Sequence, residues 1–220
     1  ILKTHYQRMI REMQQEFASF RPGKSSLLGK FKKAEGGENT IGMWVRAKED
    51  SCGGVVECII KGVPAGVGEP CFDKLSANLA KAIFSIGAVK GFELGDGFDV
   101  AKMHGSANND PFGMEDGHVK KLSNHSGGTL GGISDGSDIL FRAAFKPTPS
   151  ISREQHTVNK SGEEITVSVK GRHDPIIAPR AVVVVECMAA LTVLDLMMAG
   201  MTSRLDRMKE FWSRPLVPEK

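Results

Sequence analysis

Three features that would narrow the function at once are missing from this 220-residue sequence: a paired-cysteine metal motif, a basic tract and a charge-free apolar run. Cys52, Cys58, Cys71 and Cys187 form no C-x-x-C pair and have no histidine at zinc-finger spacing, which argues against a structural metal. Reduced, partly buried thiols in a cytoplasmic protein are the expectation. The formal net charge is +3 and the Lys and Arg residues collect into no tail, so nucleic acid is not an expected partner. The most apolar stretch, residues 181–201, is interrupted by Glu186 and Asp195. A charge at bilayer depth costs roughly 2.5–3.5 kcal/mol on insertion scales, so no membrane span is expected, and no signal peptide is visible. The chain begins with Ile1 rather than Met, which suggests a processed or truncated protein.

What is present is an ordinary globular composition, with 40% hydrophobic and 25% charged residues. Leu2, Tyr6, Met9, Ile10, Met13, Phe17 and Phe20 recur at helical steps, predicting an amphipathic helix over residues 1–20 that Arg21-Pro22-Gly23 ends. Residues 24–40 lack periodicity and read as a linker, giving a boundary near residue 40. The β-branched run from Gly54 to Pro64 predicts a strand. Residues 71–86 place Phe72, Leu75, Leu79, Ala82, Ile83 and Ile86 on one helical face, with Asp73 near the N-terminus. Further strands are expected over residues 91–100, 138–145 and 164–169. Residues 180–200 read as a buried helix and residues 204–220 as a polar tail. Strands and helices that do not strictly alternate predict an α+β domain.

Three segments carry chemistry. The block Asn124-His125-Ser126-Gly127-Gly128-Thr129-Leu130-Gly131-Gly132-Ile133-Ser134 can turn backbone N–H groups toward a phosphate or a flat ring, or can simply join strands through tight turns. Lys146-Pro147-Thr148-Pro149-Ser150 offers one ammonium and two hydroxyls on a stiff backbone, which suits an anion but equally suits a rigid exit from an edge strand. In Gly171-Arg172-His173-Asp174-Pro175, with Arg180 beyond it, arginines can grip carboxylate or phosphate, and an aspartate beside an arginine favours the ionised form that accepts a proton. The alternative there is a surface turn closed by an ion pair. His104, His118 and His125 lie in polar loops without metal-ligand spacing.

Taken in order, these blocks resemble chorismate synthase. Gly62-Val63-Pro64-Ala65-Gly66-Val67-Gly68-Glu69-Pro70 with Phe72-Asp73-Lys74-Leu75, then residues 124–134 leading to 146–150, then 171–175 with Pro179-Arg180-Ala181-Val182 and Glu186, carry the resemblance. Ser85-Ile86-Gly87-Ala88-Val89-Lys90-Gly91, Gly95-Asp96-Gly97-Phe98 and Gly105-Ser106-Ala107-Asn108-Asn109-Asp110 fill the intervals, so that it spans roughly residues 46–200.

The resemblance implies a layered fold of antiparallel sheets around central helices, of which this chain holds about half, and a homotetrameric assembly. It implies a 1,4-anti-elimination of phosphate from 5-enolpyruvylshikimate 3-phosphate, giving chorismate in aromatic amino acid biosynthesis, with reduced FMN required although nothing is oxidised overall. It places the flavin against Gly87 and Ala88, Gly131, Lys146, Pro147, Thr148, Pro149, Ser150 and Arg172. Asp174 would take part in proton transfer near flavin N5, and Arg172 and Arg180 would bind substrate anions. Gly87 stands where many members carry Asn. The early Gly-Glu-Ser-His-Gly motif, the arginine-rich substrate loop, the Ser-Ala-Arg-Glu-Thr motif and the second catalytic histidine have no counterpart here, and residues 1–40 do not match that half. The isolated chain is therefore expected to be inactive and to need an N-terminal half as partner. Competing readings are a non-catalytic flavin- or nucleotide-binding module, and an interaction domain built on the helix of residues 1–20.

Overall fold

The computed structural model describes residues 48–171 and 173–213. The helix expected over residues 1–20, the linker, Arg172 and the last seven residues of the tail lie outside the described residues.

A three-stranded antiparallel sheet forms the centre, from β1 (Gly54–Ile60), β2 (Val89–Leu94) and β7 (Ile139–Phe145), in the order β1-β7-β2. β7 alternates cleanly: Ile139, Phe141, Ala143 and Phe145 are buried while the residues between them are half-exposed. That period-2 pattern makes one sheet face apolar, and two helices cover it. Helix α1 (Leu75–Phe84) contributes Leu75, Leu79 and Ile83, four residues apart and fully buried. Phe141 lies against Phe92 with ring centroids 5.3 Å apart and planes tilted by 30°.

Helix α3 (Ala178–Gly200) seats Ala178, Ala181, Val185, Ala189, Val193 and Leu196 inward. Alanines in the inward stripe let backbones approach: a Cβ on Gly54 of β1 would lie 2.7 Å from the Ala178 Cβ. The helix is long and apolar enough to cross a membrane by length and composition, with mean hydropathy 2.1 over its best window. Its inward stripe nevertheless belongs to the sheet core. The expectation of a buried helix holds for that stripe and not for the opposite face, where Val183, Val184, Cys187 and Leu191 point outward and exposed. Propensity registers how apolar a helix is, not how many of its faces this chain can cover.

Among the described residues three hairpins accompany this sheet: β3 (Phe112–Glu115) with β4 (His118–Lys121), β5 (Thr129–Leu130) with β6 (Ile133–Ser134), and β8 (Gln155–Val158) with β9 (Glu164–Val167). The short helix α2 (Gly105–Asn108) precedes β3, and α4 (Leu205–Ser213) follows α3 within the segment expected to be a polar tail. The strand expected over 91–100 ends at Leu94, since Gly95 and Gly97 take φ of 58° and 57° and a 3-10 turn follows over Gly97–Lys102. The N-terminus of α1 holds no acidic residue in its first turn, Lys74 being the N-cap and Asp73 preceding it. The mixed helices and antiparallel sheets make the α+β class plain.

Candidate functional site

The expected site residues divide between the two ends of α1. At its C-terminal end the chain passes through Gly87 and Ala88 into β2, and the Lys146 N–H donates to the Ala88 carbonyl at 2.9 Å. Ala88 holds φ at 70°, a left-handed conformation that a residue with a Cβ rarely adopts and that costs about 1–2 kcal/mol. A Cβ built on Gly87 would meet nothing within 4 Å, so this turn is open to its surroundings.

Residues 146–150 leave β7 at this end, and the lead into β1 clamps them. Ser51 Oγ donates to the Thr148 carbonyl at 2.6 Å. Gly53 allows the close approach: a Cβ there would stand 2.4 Å from the Phe145 carbonyl oxygen and 3.3 Å from Pro147 Cδ. The same lead bonds the third segment, with Cys52 N–H donating to the Pro175 carbonyl at 2.8 Å and Cys52 bridging Ile176 in parallel. One extended strip thus holds residues 146–150 on one side and 173–176 on the other.

Beside the second of these segments lies a cavity of about 330 Å³, lined by Glu49, Asp50 and Ser51, by Ile151 and Ser152, and by Gly171, His173, Asp174 and Pro175, while residues 146–150 stay outside its wall. Asp174 Oδ2 accepts from Arg180 Nη1 at 2.5 Å, Arg180 standing in the first turn of α3. His173 Nε2 is 3.0 Å from the Val169 carbonyl, the contact of a tautomer protonated there. Asp50 Oδ1 accepts the Ser51 N–H at 2.8 Å, and Asp50 Oδ2 lies 3.6 Å from Arg153. Burial, and then the Asp50 charge, push the Cys52 thiol up, so it stays protonated at neutral pH. Thr148 Oγ1 is buried without a hydrogen-bond partner. An orphaned buried hydroxyl costs about 1–3 kcal/mol, a cost that a polar ligand atom within hydrogen-bond reach would relieve.

Gly131 lies elsewhere. It forms the tip of the β5–β6 hairpin with Gly132, at φ of 60° and 97°, the left-handed pair that a two-residue hairpin turn requires. The Gly132 carbonyl accepts the Leu75 N–H at 2.8 Å, so the tip abuts the N-terminus of α1. Ten residues of helix separate that point from Ala88, about 15 Å. The structure therefore gathers Gly87, Ala88, Lys146, Pro147, Thr148, Pro149, Ser150, Asp174 and Arg180 at one pole and leaves Gly131 at the other. Buried Ser134 fastens the hairpin to the Gly62-to-Pro70 block, its Oγ accepting from Val67 N–H at 2.9 Å and donating to the Pro64 carbonyl at 2.5 Å. His125, also at this pole, pairs through Nδ1 with Asp96 at 2.5 Å.

Sequence reasoning missed Glu49, Asp50, Ser51 and Ser152 in the cavity wall. No local pattern announces them, because the contact between Ser51 and Thr148 spans 97 positions.

A family model described as chorismate synthase matches residues 12–198, most of the chain. The chain belongs to the chorismate synthase family. Chorismate synthases of Lachnoclostridium phytofermentans and Lachnospira eligens are 69% and 67% identical over 166 and 165 residues, each alignment covering 75% of this chain and 45% of the relative. The chorismate synthase of the archaeon Methanosarcina acetivorans is 57% identical over 155 residues. A crystal structure of chorismate synthase shares the fold with TM-score 0.59 and 31% identity, over 72% of this chain and 41% of that one. The chain spans about half the length of the curated relatives it matches, and the family match begins at residue 12, inside the segment expected to be unassigned.

Proposed function

We propose that this chain supplies the flavin-facing part of a chorismate synthase active site, which eliminates phosphate from 5-enolpyruvylshikimate 3-phosphate in aromatic amino acid biosynthesis. The observation that carries the reading is that residues 146–150 bond Ala88 through Lys146 on one side and, through Thr148, the strip into β1 on the other, the same strip that bonds Pro175 next to Asp174. The donor chemistry fits FMN. Thr148 Oγ1 is a buried hydroxyl without a partner, Lys146 two residues earlier is exposed, and the open turn at Gly87 leaves room for a flat ring against backbone.

Lys146 and Thr148 would hold anionic and polar edges of FMN, with Pro147 and Pro149 keeping that backbone rigid. Bound in its reduced form, FMN supplies an electron-rich ring that eases departure of phosphate from the allylic substrate. Arg180 aims the Asp174 carboxylate through their 2.5 Å contact, and the carboxylate faces the cavity, where it can accept a proton. Arg172 and Arg180 suit the substrate's carboxylates and phosphate. Gly131 belongs to the same ligand only if that ligand is elongated enough to reach the far end of α1, as a mononucleotide is. The proton donor to the leaving phosphate has no residue assigned in this chain.

The rest of the active site is assigned to the remaining length of the family. The outward face of α3, with Val183, Val184, Cys187 and Leu191 exposed, is the surface on which that remaining part would pack. Within this reading the whole enzyme is a cytoplasmic homotetramer acting on a small phosphorylated molecule, with neither nucleic acid nor membrane as partner. By itself the chain would be a flavin-binding module. The test is anaerobic incubation of the chain with substrate and reduced FMN, with and without the remaining part of the enzyme, following chorismate by absorbance. No turnover from the chain alone and turnover from the combination are expected. Turnover at a normal enzymatic rate by the chain alone, or none by the combination, would overturn the assignment.

A further inference from the structure

A buried charge cluster lies beneath the glycine-rich hairpin and has no part in the chemistry above. The side chains of Lys121, Asp110 and Asp135 are 2%, 4% and 7% exposed. Lys121 Nζ lies 2.6 Å from Asp135 Oδ2, 2.8 Å from Ser126 Oγ and 3.5 Å from Asp110 Oδ2.

Each carboxylate grips a different end of the loop. Asp110 accepts from Ser123 Oγ at 2.6 Å, from the His125 N–H at 2.8 Å and from the Ser126 N–H at 3.0 Å, which fixes the entry to the glycines. Asp135 Oδ1 accepts the Ser137 N–H at 2.8 Å, and the Asp135 N–H donates to the Gly128 carbonyl at 3.1 Å, which fixes the exit. Lys121, at the end of β4, ties the two carboxylates together.

Three formal charges in so dry a place are a poor way to gain stability. Desolvating ions offsets most of their attraction, and apolar replacements of the same shape are often as stable or more so. Charges and directed hydrogen bonds do select one geometry over others. The loop needs such selection, since glycine permits many backbone conformations where Gly127, Gly128, Gly131 and Gly132 must all hold positive φ.

We propose that Lys121, Asp110 and Asp135 form a clasp that positions the hairpin of residues 124–136, so that Gly131 presents its backbone to an anionic group of the ligand. The ligand rests on the flavin reading given above; the clasp does not. These are positioning residues, acting through the loop rather than by touching the reacting atoms.

The test uses the whole 220-residue chain in three variants: Asp135→Asn, the paired Lys121→Met with Asp135→Asn, and Val193→Ala as a control in the core stripe of α3, which does not pack on the hairpin. FMN affinity is read by flavin fluorescence, melting temperature by circular dichroism, and loop order by hydrogen exchange of peptides covering residues 124–137. Both clasp variants are expected to weaken FMN binding at least tenfold and to speed exchange in the loop, the paired variant melting within a few degrees of wild type. Val193→Ala is expected to lower the melting temperature while leaving affinity and loop exchange unchanged. Wild-type affinity in a folded clasp variant would overturn the proposal. If the wild-type chain fails to bind FMN, the flavin reading falls and exchange decides for the clasp: faster loop exchange in Asp135→Asn upholds it, and unchanged exchange overturns it.

Discussion

Asp174→Asn separates catalysis from architecture, because the structure assigns that side chain little of the second. The Asp174–Arg180 pair is 2.5 Å long but solvated, with side chains 35% and 71% exposed. Exposed pairs are worth about 0–1 kcal/mol. Arg180 also stands in the first turn of α3, where a cation opposes the helix dipole by about 0.3–1 kcal/mol, and the Asp174 carboxylate offsets that opposition. Together these limit the loss of stability on substitution to about 1–2 kcal/mol. A positioned proton acceptor contributes roughly 10²–10⁴ in rate, or about 3–5 kcal/mol of transition-state stabilisation. Asp174→Asn should therefore shift a urea unfolding midpoint only slightly, leave FMN affinity within about threefold, and lower chorismate formation by the complete enzyme at least a hundredfold. A rate within threefold of wild type would refute the proton-transfer role. A stability loss above about 3 kcal/mol would refute the peripheral placement of the pair.

The other expectations follow from burial and charge. Phe141→Ala removes a fully buried ring that packs on Phe92, and should cost about 3–5 kcal/mol by urea denaturation; a loss below 1 kcal/mol would contradict that core. Burial and then Glu186 push the Cys58 thiol up to about 12, so a thiol reagent should label exposed Cys71 and Cys187 at once and Cys58 only on unfolding. Cys187 should lose its reactivity when the outward face of α3 is covered by the rest of the enzyme, and equal labelling in both states would argue against that docking. Burial pushes the Asp110 and Asp135 carboxyls up, but hydrogen bonds outweigh it: Ser123, Ser126 and His125 for Asp110, and Lys121 and Ser137 for Asp135. Both groups therefore end below the usual carboxylate value. Groups depressed on folding stabilise fully above their unfolded value of 3.8 and lose that contribution as pH falls through the folded value. Acid unfolding below about pH 4 should accordingly be shallower in Asp135→Asn than in wild type, as measured by far-ultraviolet circular dichroism.

Much of the central layer was legible because it depends on short-range periodicity. Ile139, Phe141, Ala143 and Phe145 alternate in β7, and Leu75, Leu79 and Ile83 recur every four residues in α1, so one face of each was marked for the core. The boundary of β2 was not legible. Phe98 and Val100 look like strand residues, but the Phe98 N–H donates to Glu93 Oε2 and the positive φ at Gly95 and Gly97 turns the chain away. The two-residue strands β5 and β6 are too short for any period, and they exist because Ser134 and the glycine turns anchor them to distant segments.

The site was legible only in pieces. Residues 146–150 and Asp174 stood out by composition, but their meeting depends on Ser51, Cys52 and Gly53, small residues with no motif of their own, whose partners lie far along the chain. Placing Gly131 with Ala88 in one set concealed a separation that only the orientation of α1 reveals. The Asp110, Lys121 and Asp135 clasp was invisible for a further reason: its members look like ordinary surface charges until folding buries all three.

Titration of FMN into the purified chain, beside Lys146→Ala, tests the central claim most directly. Saturable quenching of flavin fluorescence at one FMN per chain, weakened about tenfold or more by the substitution, is the expected result. No saturation up to millimolar flavin, or equal affinity in the two proteins, would contradict the assignment of the flavin site to this half of the fold.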